Sequence, residues 1–217
     1  MKEKSFLQLD AYSHIKERIL SGELQPDTLY SETRLSAELG ISRTPVREAL
    51  QCLSQDGYIT IVPSRGFKIR TLNDTDMEQS IQVRCAIEGY CAFLVSKEIK
   101  SRKAQRLLRR LQELLEDMED ASQADDGHES FIDSDHKFHL CLVAYAGNDE
   151  FDQLFQRLMY LIRLTSHQAL NVPGRVEGTL EEHRQFYQAL SAGDAGRAYT
   201  LLIQHLTMPI NLKAAQN

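Results

Sequence analysis

Hydrophobic and polar positions along the first 70 residues change from a helical to an alternating spacing. Apolar side chains recur every three or four residues in three segments and predict short helices over residues 9–20, 31–39 and 42–56. Ser31 and Ser42 stand at the start of the second and third segments, where a serine side chain can cap a helix. Residues 58–62 and 67–70 carry β-branched and aromatic side chains on either side of a turn, which predicts a β-hairpin.

The third predicted helix has an apolar face and a cationic face. Val46, Leu50 and Leu53 fall on one stripe, and Arg43 and Arg47 fall on the opposite one. The spacing therefore predicts that both arginines point outward. The apolar stripe of the first helix consists of Leu9, Tyr12, Ile15 and Ile19.

A linker is predicted at residues 72–74, beginning with Leu72. After it, the spacing of apolar residues is helical through the rest of the chain. Six further helices are predicted over residues 74–98, 101–120, 128–146, 149–170, 175–191 and 194–212. The acidic, polar segment 119–129 is predicted to be a loop. The predicted fold class is mostly α, with a winged helix-turn-helix over residues 1–72 and an antiparallel all-helical bundle over 73–217.

Composition narrows the class of protein without identifying it. Of the 217 residues, 42% are hydrophobic and 26% charged, which excludes a wholly disordered chain. No apolar run approaches the ~20 residues of a membrane-spanning helix, and residues 1–10 contain no apolar signal-peptide core. We therefore expect a cytoplasmic protein without a membrane partner. Its thiols are expected to be reduced and buried, since no C-x-x-C spacing joins Cys52, Cys85, Cys91 and Cys141.

The net charge of −6 is unevenly distributed along the chain. Residues 1–70 carry 10 basic and 9 acidic side chains, whereas residues 71–217 carry 15 and 22. Within 42–70 there are 5 basic and 2 acidic residues. A locally basic stretch in an acidic chain indicates an anionic partner at the N-terminal unit alone.

A helix-turn-helix followed by a hairpin is the arrangement of winged-helix DNA-binding domains. Arg43, Thr44 and Arg47 lie at the start of the third helix, where base contacts usually occur, and arginine is the commonest reader of guanine. Arg65 and Gly66, at the hairpin tip, are candidates for contact with the phosphates or the minor groove. The alternative is that these arginines are simply solvated, with Glu48 available as a partner for one of them.

Four polar residues occupy core stripes of the predicted bundle, namely Asp135, His139, His183 and His205. A buried carboxylate without a partner costs several kcal/mol, roughly, so Asp135 needs a counter-group. Three imidazoles and one carboxylate form a chemically reasonable site for Zn, Ni, Mn or Fe. The alternative is that the histidines are hydrogen-bonded structural residues. His136, one position along the helix, is expected at the surface.

The N-terminal motifs closely resemble those of the GntR family of bacterial transcription regulators. The resemblance spans about residues 10–70 and is carried by Ser42–Leu50, Asp56–Tyr58 and Arg65–Gly66. In that family the arginines that match Arg43 and Arg47 contact DNA, and so does the wing glycine that matches Gly66. Many relatives carry a further arginine at the position of Thr33. Here the arginine is the next residue, Arg34, which is kept as a candidate DNA contact.

The helical half resembles the FCD ligand-binding domain of the FadR subfamily over about residues 75–212. The motif is Asp135-x-x-Phe138-His139, then Gly147-Asn148, Glu182-His183 and His205. In the metal-binding members, the positions that match Asp135, His139, His183 and His205 ligate the metal, whereas other members bind their effector without one. The resemblance implies an antiparallel helical bundle, a homodimer and a divalent transition metal, with Zn or Ni favoured over Mn or Fe.

The resemblance also implies where an effector binds. Four protein ligands on an ion that prefers six leave two positions for a small organic acid, and arginines of the same cavity hold such acids in the family. Arg84 and Arg163 are the candidates here. The alternative for Arg84 is an ion pair with Glu88, four residues along the same helix.

Three functional hypotheses follow. In the first, the chain is a transcription regulator that binds palindromic operator DNA as a dimer and responds to a small carboxylate. In the second, the metal ion itself is the signal. The third, a metal-dependent hydrolase, is disfavoured because no H-E-x-x-H motif is present and neither Glu182 nor Asp133 has a clear general-base position. We therefore expect a regulator and not an enzyme.

Overall fold

The structure is a computed structural model that describes residues 6–71 and 73–214. Leu72 of the predicted linker lies outside the described residues. The chain divides into two compact units, Met1–Asn73 and Asp74–Asn217. The elements are α1 Phe6–Leu20, α2 Glu32–Glu38, α3 Arg43–Gln55, β1 Ile59–Val62, β2 Gly66–Ile69, α4 Asp74–Lys97, α5 Arg102–Gln123, α6 His128–Ala144, α7 Asp149–Leu170, α8 Arg175–Ser191 and α9 Ala195–Ala214.

In the first unit, α1 and α2 both pack against α3. The predicted inward stripe of α3 is fully buried. Arg43, the first residue of α3, lies on the opposite, exposed face of the helix. The predicted stripe of α1 is partly wrong, because Leu9 is exposed and Ala11 takes its place beside Ile15. The tyrosine of that stripe, Tyr12, donates a hydrogen bond of 2.7 Å to Asp56 at the C-terminal end of α3.

The wing is an antiparallel hairpin in which Ile59 pairs with Ile69 and Val62 pairs with Gly66. The segment before α2 joins it, because the backbone N–H groups of Tyr30 and Phe67 each donate to the carbonyl of the other. Gly66 is required at this junction. Its φ is +133°, and a Cβ atom there would lie 1.9 Å from the carbonyl oxygen of Tyr30.

Helices α2 and α3 begin where the sequence predicts, but only one of the two predicted serine side chains makes a capping hydrogen bond. The Ser31 side chain accepts a hydrogen bond from the N–H of Arg34 at the start of α2. Ser42 occupies the corresponding position before α3, but its side chain makes no capping hydrogen bond. The capping role predicted for Ser42 is therefore wrong.

The second unit is a bundle of the six helices α4–α9 around one apolar core, and the predicted mostly α fold class is confirmed. The prediction of a loop over residues 119–129 is wrong for its first part. Helix α5 continues to Gln123, because Met118 and Ala121 keep its apolar face in the core.

Helix α6 lies inside this bundle, in contact with α4, α5 and α7. Burial therefore extends beyond the apolar stripe that the sequence predicts. His136 is 4% exposed, with its Nε2 atom 3.3 Å from the Ser166 hydroxyl, so the expectation of a surface position is wrong. Among the described residues, no helix is long and apolar enough to span a membrane.

Candidate functional site

The start of α3 carries the exposed cationic face of the first unit. Arg43, Thr44 and Arg47 are exposed, while Pro45 and Val46 of the same turn are buried. This alternation leaves two guanidinium groups on one side of the helix, in the groove between α2, α3 and the wing.

One carboxylate lies between these two arginines. Glu32, the first residue of α2, accepts from Arg43 Nε at 3.2 Å. It also accepts from Arg47 Nη2 at 2.9 Å and from Arg47 Nε at 3.2 Å. The Glu32 side chain is only 19% exposed, whereas those of Arg43 and Arg47 are 57% and 56% exposed. Both arginines therefore pair with the same half-buried carboxylate of Glu32 and project outward from it.

The remaining DNA candidates lie at the edges of this face. Arg34 is highly exposed and pairs with Glu38 at 2.9 Å along α2. Arg65 is exposed in the turn of the wing, beside Gly66. Glycine is required at position 66 for a structural reason as well, because the contact with Tyr30 leaves no room for a Cβ atom.

In the second unit, the four residues of the candidate metal centre come together from three helices. Asp135 and His139 lie on α6, His183 lies on α8 and His205 lies on α9. One ligand atom from each lies within 4.8 Å of those of the other three. The first three residues are buried, and His205 is half-buried.

Three of the four distances between ligand atoms in the cluster match those expected around one ion, and the fourth, between Asp135 and His139, is longer. His139 Nε2 lies 3.3 Å from His183 Nε2 and 3.2 Å from His205 Nε2. Asp135 Oδ1 lies 3.3 Å from His183 Nε2 and 3.8 Å from His139 Nε2. Ligand atoms about 2.1 Å from one ion are separated by ~3.0 Å along an octahedral edge and ~3.4 Å along a tetrahedral edge. The four residues therefore fit a divalent transition metal.

The other ring nitrogen of each histidine faces a hydrogen-bond acceptor. His139 Nδ1 lies 2.5 Å from Glu88 Oε2, and His205 Nδ1 lies 2.9 Å from Glu182 Oε2. His183 Nδ1 lies 2.8 Å from the carbonyl oxygen of Thr179, which can only accept. With each Nδ1 as the donor, each Nε2 keeps its lone pair, and all three Nε2 atoms lie within 4.8 Å of a carboxylate oxygen of Asp135.

Three residues of the cluster, His139, His183 and Asp135, are in the protonation states that a metal requires. Burial, and then the charge of Arg84, lower the pKa of His139 well below its usual value. Burial lowers the pKa of His183 to about 4. Burial raises the pKa of Asp135, but the surrounding histidines outweigh it and bring that pKa to about 2. Near neutral pH His139 and His183 are therefore neutral imidazoles and Asp135 is a carboxylate.

The acidic residues behind the histidines are themselves anchored by arginines. Arg84 Nε donates to Glu88 Oε1 at 2.7 Å, and Arg175 donates to both oxygens of Glu182 at 2.8 and 3.1 Å. Burial raises the pKa of Glu88, with Arg84 opposing it. Burial also raises the pKa of Glu182, but its bonds to His205 and Arg175 bring it to about 2.

A cavity beside the cluster is lined by two arginines together with Asp135 and His205. Arg84 is one of them, and it also forms the ion pair with Glu88 that was the alternative prediction. Its side chain is 8% exposed, and its Nη2 atom has no hydrogen-bond partner among the described residues. Arg175, which the sequence analysis did not select, is the other.

Arg163 does not line this cavity. Its guanidinium donates to Asp133 and Glu129 at 2.6 Å each, because α7 turns residue 163 toward the first turns of α6. The sequence-based selection of Arg163 beside Arg84 is therefore corrected, since the two side chains do not meet at one cavity.

Three carboxylates that support the candidate sites were missed or given another role. Glu88 was considered only as a partner of Arg84, although a carboxylate on the apolar stripe of its helix indicates a buried counter-group. Glu182 appeared in the FCD motif, but the only role considered for it was that of a general base. Glu32 gave no signal, because its contacts join the start of α2 to α3 across a turn.

Two protein families match the chain. The family described as bacterial regulatory proteins, gntR family, matches residues 7–69. The FCD domain matches residues 79–208. The two matches fall within the two compact units.

Individual proteins resemble the chain over most of its length. The HTH-type transcriptional repressor GlaR of Escherichia coli (strain K12) is 26% identical over 211 residues, with 93% of each chain covered. A GntR transcriptional regulator from Rhodococcus sp. RHA1 has a TM-score of 0.78 at 23% identity, covering 96% of this chain and 98% of that one. The Zn²⁺-bound FCD domain of TM0439 has a TM-score of 0.50 at 23% identity, covering 64% of this chain and 92% of that one.

Proposed function

The chain belongs to the gntR family of bacterial regulatory proteins and carries an FCD domain, and on this premise we propose that a small carboxylate controls its binding to operator DNA. As a member of this family it is a DNA-binding transcription regulator and not an enzyme.

Operator recognition is assigned to the start of α3. Arg43, Thr44 and Arg47 contact base edges in the major groove, and Arg65 and Gly66 of the wing contact the adjacent backbone or minor groove. Arg34 contributes a phosphate contact, because it is highly exposed on the neighbouring helix. Two copies bind a palindromic operator as a homodimer, with half-sites about 34 Å apart.

The metal is assigned to Asp135, His139, His183 and His205. The observation that carries this assignment is that three Nε2 atoms and one carboxylate lie close together. The Nδ1–H group of each of these histidines donates its hydrogen bond to another acceptor. With the protons on Nδ1, no donor lies between the Nε2 atoms and Asp135, and a cation would satisfy these acceptors. Zinc or nickel suits this set of ligands best, with manganese or iron as alternatives, and the Zn²⁺-bound FCD domain of TM0439 supports zinc.

The effector is a small organic acid bound in the cavity beside the cluster. A bound divalent ion would supply positive charge and free coordination positions there. Arg84 lines this cavity and contributes the N–H groups of Nη2, which are buried and have no hydrogen-bond partner among the described residues. A carboxylate satisfies both charges, and the second arginine of the cavity, Arg175, remains occupied by Glu182.

The acid acts by releasing DNA, and the chain is a repressor. The description of GlaR as a repressor supports this direction. For such control, the acid must bind the arrangement that does not hold DNA more tightly, typically by ~1–3 kcal/mol.

We expect Arg84→Lys to separate the acid from the metal. Lysine keeps the charge beside Glu88 but loses the planar fork of the guanidinium, so affinity for the acid falls about tenfold or more while the metal stays bound. The measurement is operator binding by fluorescence anisotropy with zinc-loaded protein, titrated with a panel of hydroxy, keto and dicarboxylic acids. Metal content is measured on the same samples.

Arg163→Lys is the matched control, because Arg163 lies outside the cavity, and its response should equal that of the wild type. Equal acid responses of the Arg84 and Arg163 variants would contradict the role of Arg84. If operator affinity followed zinc alone and no acid changed it, the metal ion itself would be the signal. Absence of salt-sensitive, sequence-selective binding to any DNA would contradict the proposed operator recognition.

A further inference from the structure

Arg43 and Arg47 share a carboxylate before any DNA is present. Glu32 receives the Nε–H and one Nη2–H of Arg47 in a side-on, bidentate pair, and it receives the Nε–H of Arg43. A guanidinium has five N–H groups, so the end-on edge formed by Nη1 and Nη2 remains available on both residues. That edge is the one that binds O6 and N7 of a guanine.

From this geometry we propose that Glu32 is a positioning residue for sequence readout, which rests on the proposed contact of Arg43 and Arg47 with bases. Glu32 touches no base. It holds the two side chains in one rotamer each and directs their free edges outward from α3. Ordering them before binding removes part of the conformational entropy that two long, exposed side chains would otherwise lose on DNA.

The same carboxylate weakens binding to the wrong DNA. Its negative charge lies in the groove that Arg43, Arg47 and the wing line, on the face proposed to approach DNA. It therefore repels any duplex, whereas only a duplex with guanines in the right places regains affinity through the aligned arginines. Glu32 raises specificity by both effects, since specificity is a difference between two affinities.

Glu48 offers a charge-matched control on the neighbouring helix. It is exposed on α3, next to Arg47 in sequence, and it forms no ion pair within the described residues. Replacing either glutamate by glutamine removes one negative charge from the same region. Only the change at Glu32 also replaces one of the two oxygens that accept from Arg43 and Arg47 by an amide group that cannot accept, and it removes the charge from these contacts.

The test is selection of duplexes from a random DNA pool by the full-length wild type, Glu32→Gln and Glu48→Gln. Anisotropy then gives the affinities for the selected operator and for a scrambled duplex at one fixed salt concentration. We expect the ratio of operator to scrambled affinity to fall about tenfold in Glu32→Gln, with preference lost at the guanine positions. In Glu48→Gln the selected motif should be unchanged and the ratio within about twofold of the wild type.

A double-mutant cycle shows whether Glu32 acts through Arg47. In an Arg47→Ala background, the change Glu32→Gln should reduce the ratio clearly less than in the wild type. Retained affinity for scrambled DNA and an unchanged melting temperature show that the variants are folded.

Equal ratios and equal motifs for Glu32→Gln and Glu48→Gln would overturn the inference, because the effect would then be one of charge alone. Failure of the wild type to select any motif is a different result. It would remove sequence-specific DNA binding itself, and the inference with it.

Discussion

The three histidines of the candidate metal centre differ from ordinary buried histidines in the partners of their two ring nitrogens. A structural histidine usually has one donor bond and one acceptor bond. Here each Nδ1 faces an acceptor, while the Nε2 atom of His139 lies 3.3 Å from that of His183 and 3.2 Å from that of His205. The lone pairs have no donor between them, so the arrangement is favourable only around a cation.

Glu88 is predicted to set the strength of this centre through His139. Changing Glu88→Gln keeps an oxygen that can accept from Nδ1 but removes the charge that makes the imidazole a stronger ligand. We expect affinity for zinc to fall about 10–100-fold. Competition with a chromophoric zinc chelator measures it.

Glu98→Gln is the control for that change. Glu98 follows α4 and accepts from the hydroxyl of Tyr145, with no histidine in contact. Equal zinc affinities for the Glu88 and Glu98 variants would mean that the bond to His139 has no effect on the metal.

The sequence predicts the candidate metal ligands better than it predicts the carboxylates that contact them. His183 and Asp135 fall on apolar stripes, where a polar side chain is conspicuous. Glu88 and His139 are 51 residues apart and meet only because α4 packs against α6. No periodicity predicts that pairing, so the roles of Glu88 and Glu182 emerge from the fold.

Among the elements, the wing depends most on a single position. Gly66 is held at a φ of +133° against the carbonyl of Tyr30, which also accepts the N–H of Phe67. An added Cβ would have to displace backbone and not a flexible side chain. The hairpin and the segment before α2 are therefore joined by a contact that only glycine permits.

We expect Gly66→Ala to destabilise the first unit by about 3 kcal/mol and to abolish operator binding. Gly40→Ala is the comparison, because Gly40 has a φ of +66° but nothing within 4 Å, so its cost is about 1 kcal/mol. Hydrogen exchange at the amides of Tyr30 and Phe67 reports the difference. Equal protection in both variants would show that the close approach to Tyr30 does not constrain the wing.

Element boundaries were predictable wherever a strong local signal was present. The spacing of apolar residues and the glycine breaks located every helix of the bundle to within a few residues. The errors arose from tertiary burial. Helix α5 continued through a polar stretch to Gln123 because Met118 and Ala121 are buried, and His136 became buried because α6 is enclosed by other helices.

At the scale of the whole molecule, charge and chemistry are divided between the two units. The locally basic stretch 42–70 belongs to the first, while residues 71–217 carry 22 acidic and 15 basic side chains. A polyanion such as DNA is attracted to the first unit and repelled by the second. A cation is attracted to the second, where the carboxylates of Asp135, Glu88 and Glu182 surround the histidines.

Elemental analysis of untagged protein tests directly whether Asp135, His139, His183 and His205 hold a metal ion. We expect about one transition-metal ion per chain in the wild type and in His136→Asn, and almost none in His139→Ala. His136 is the matched control, since it is equally buried on the same helix but outside the cluster. A wild-type protein that is empty and takes up neither zinc nor nickel would contradict the account, as would equal metal loss in both variants.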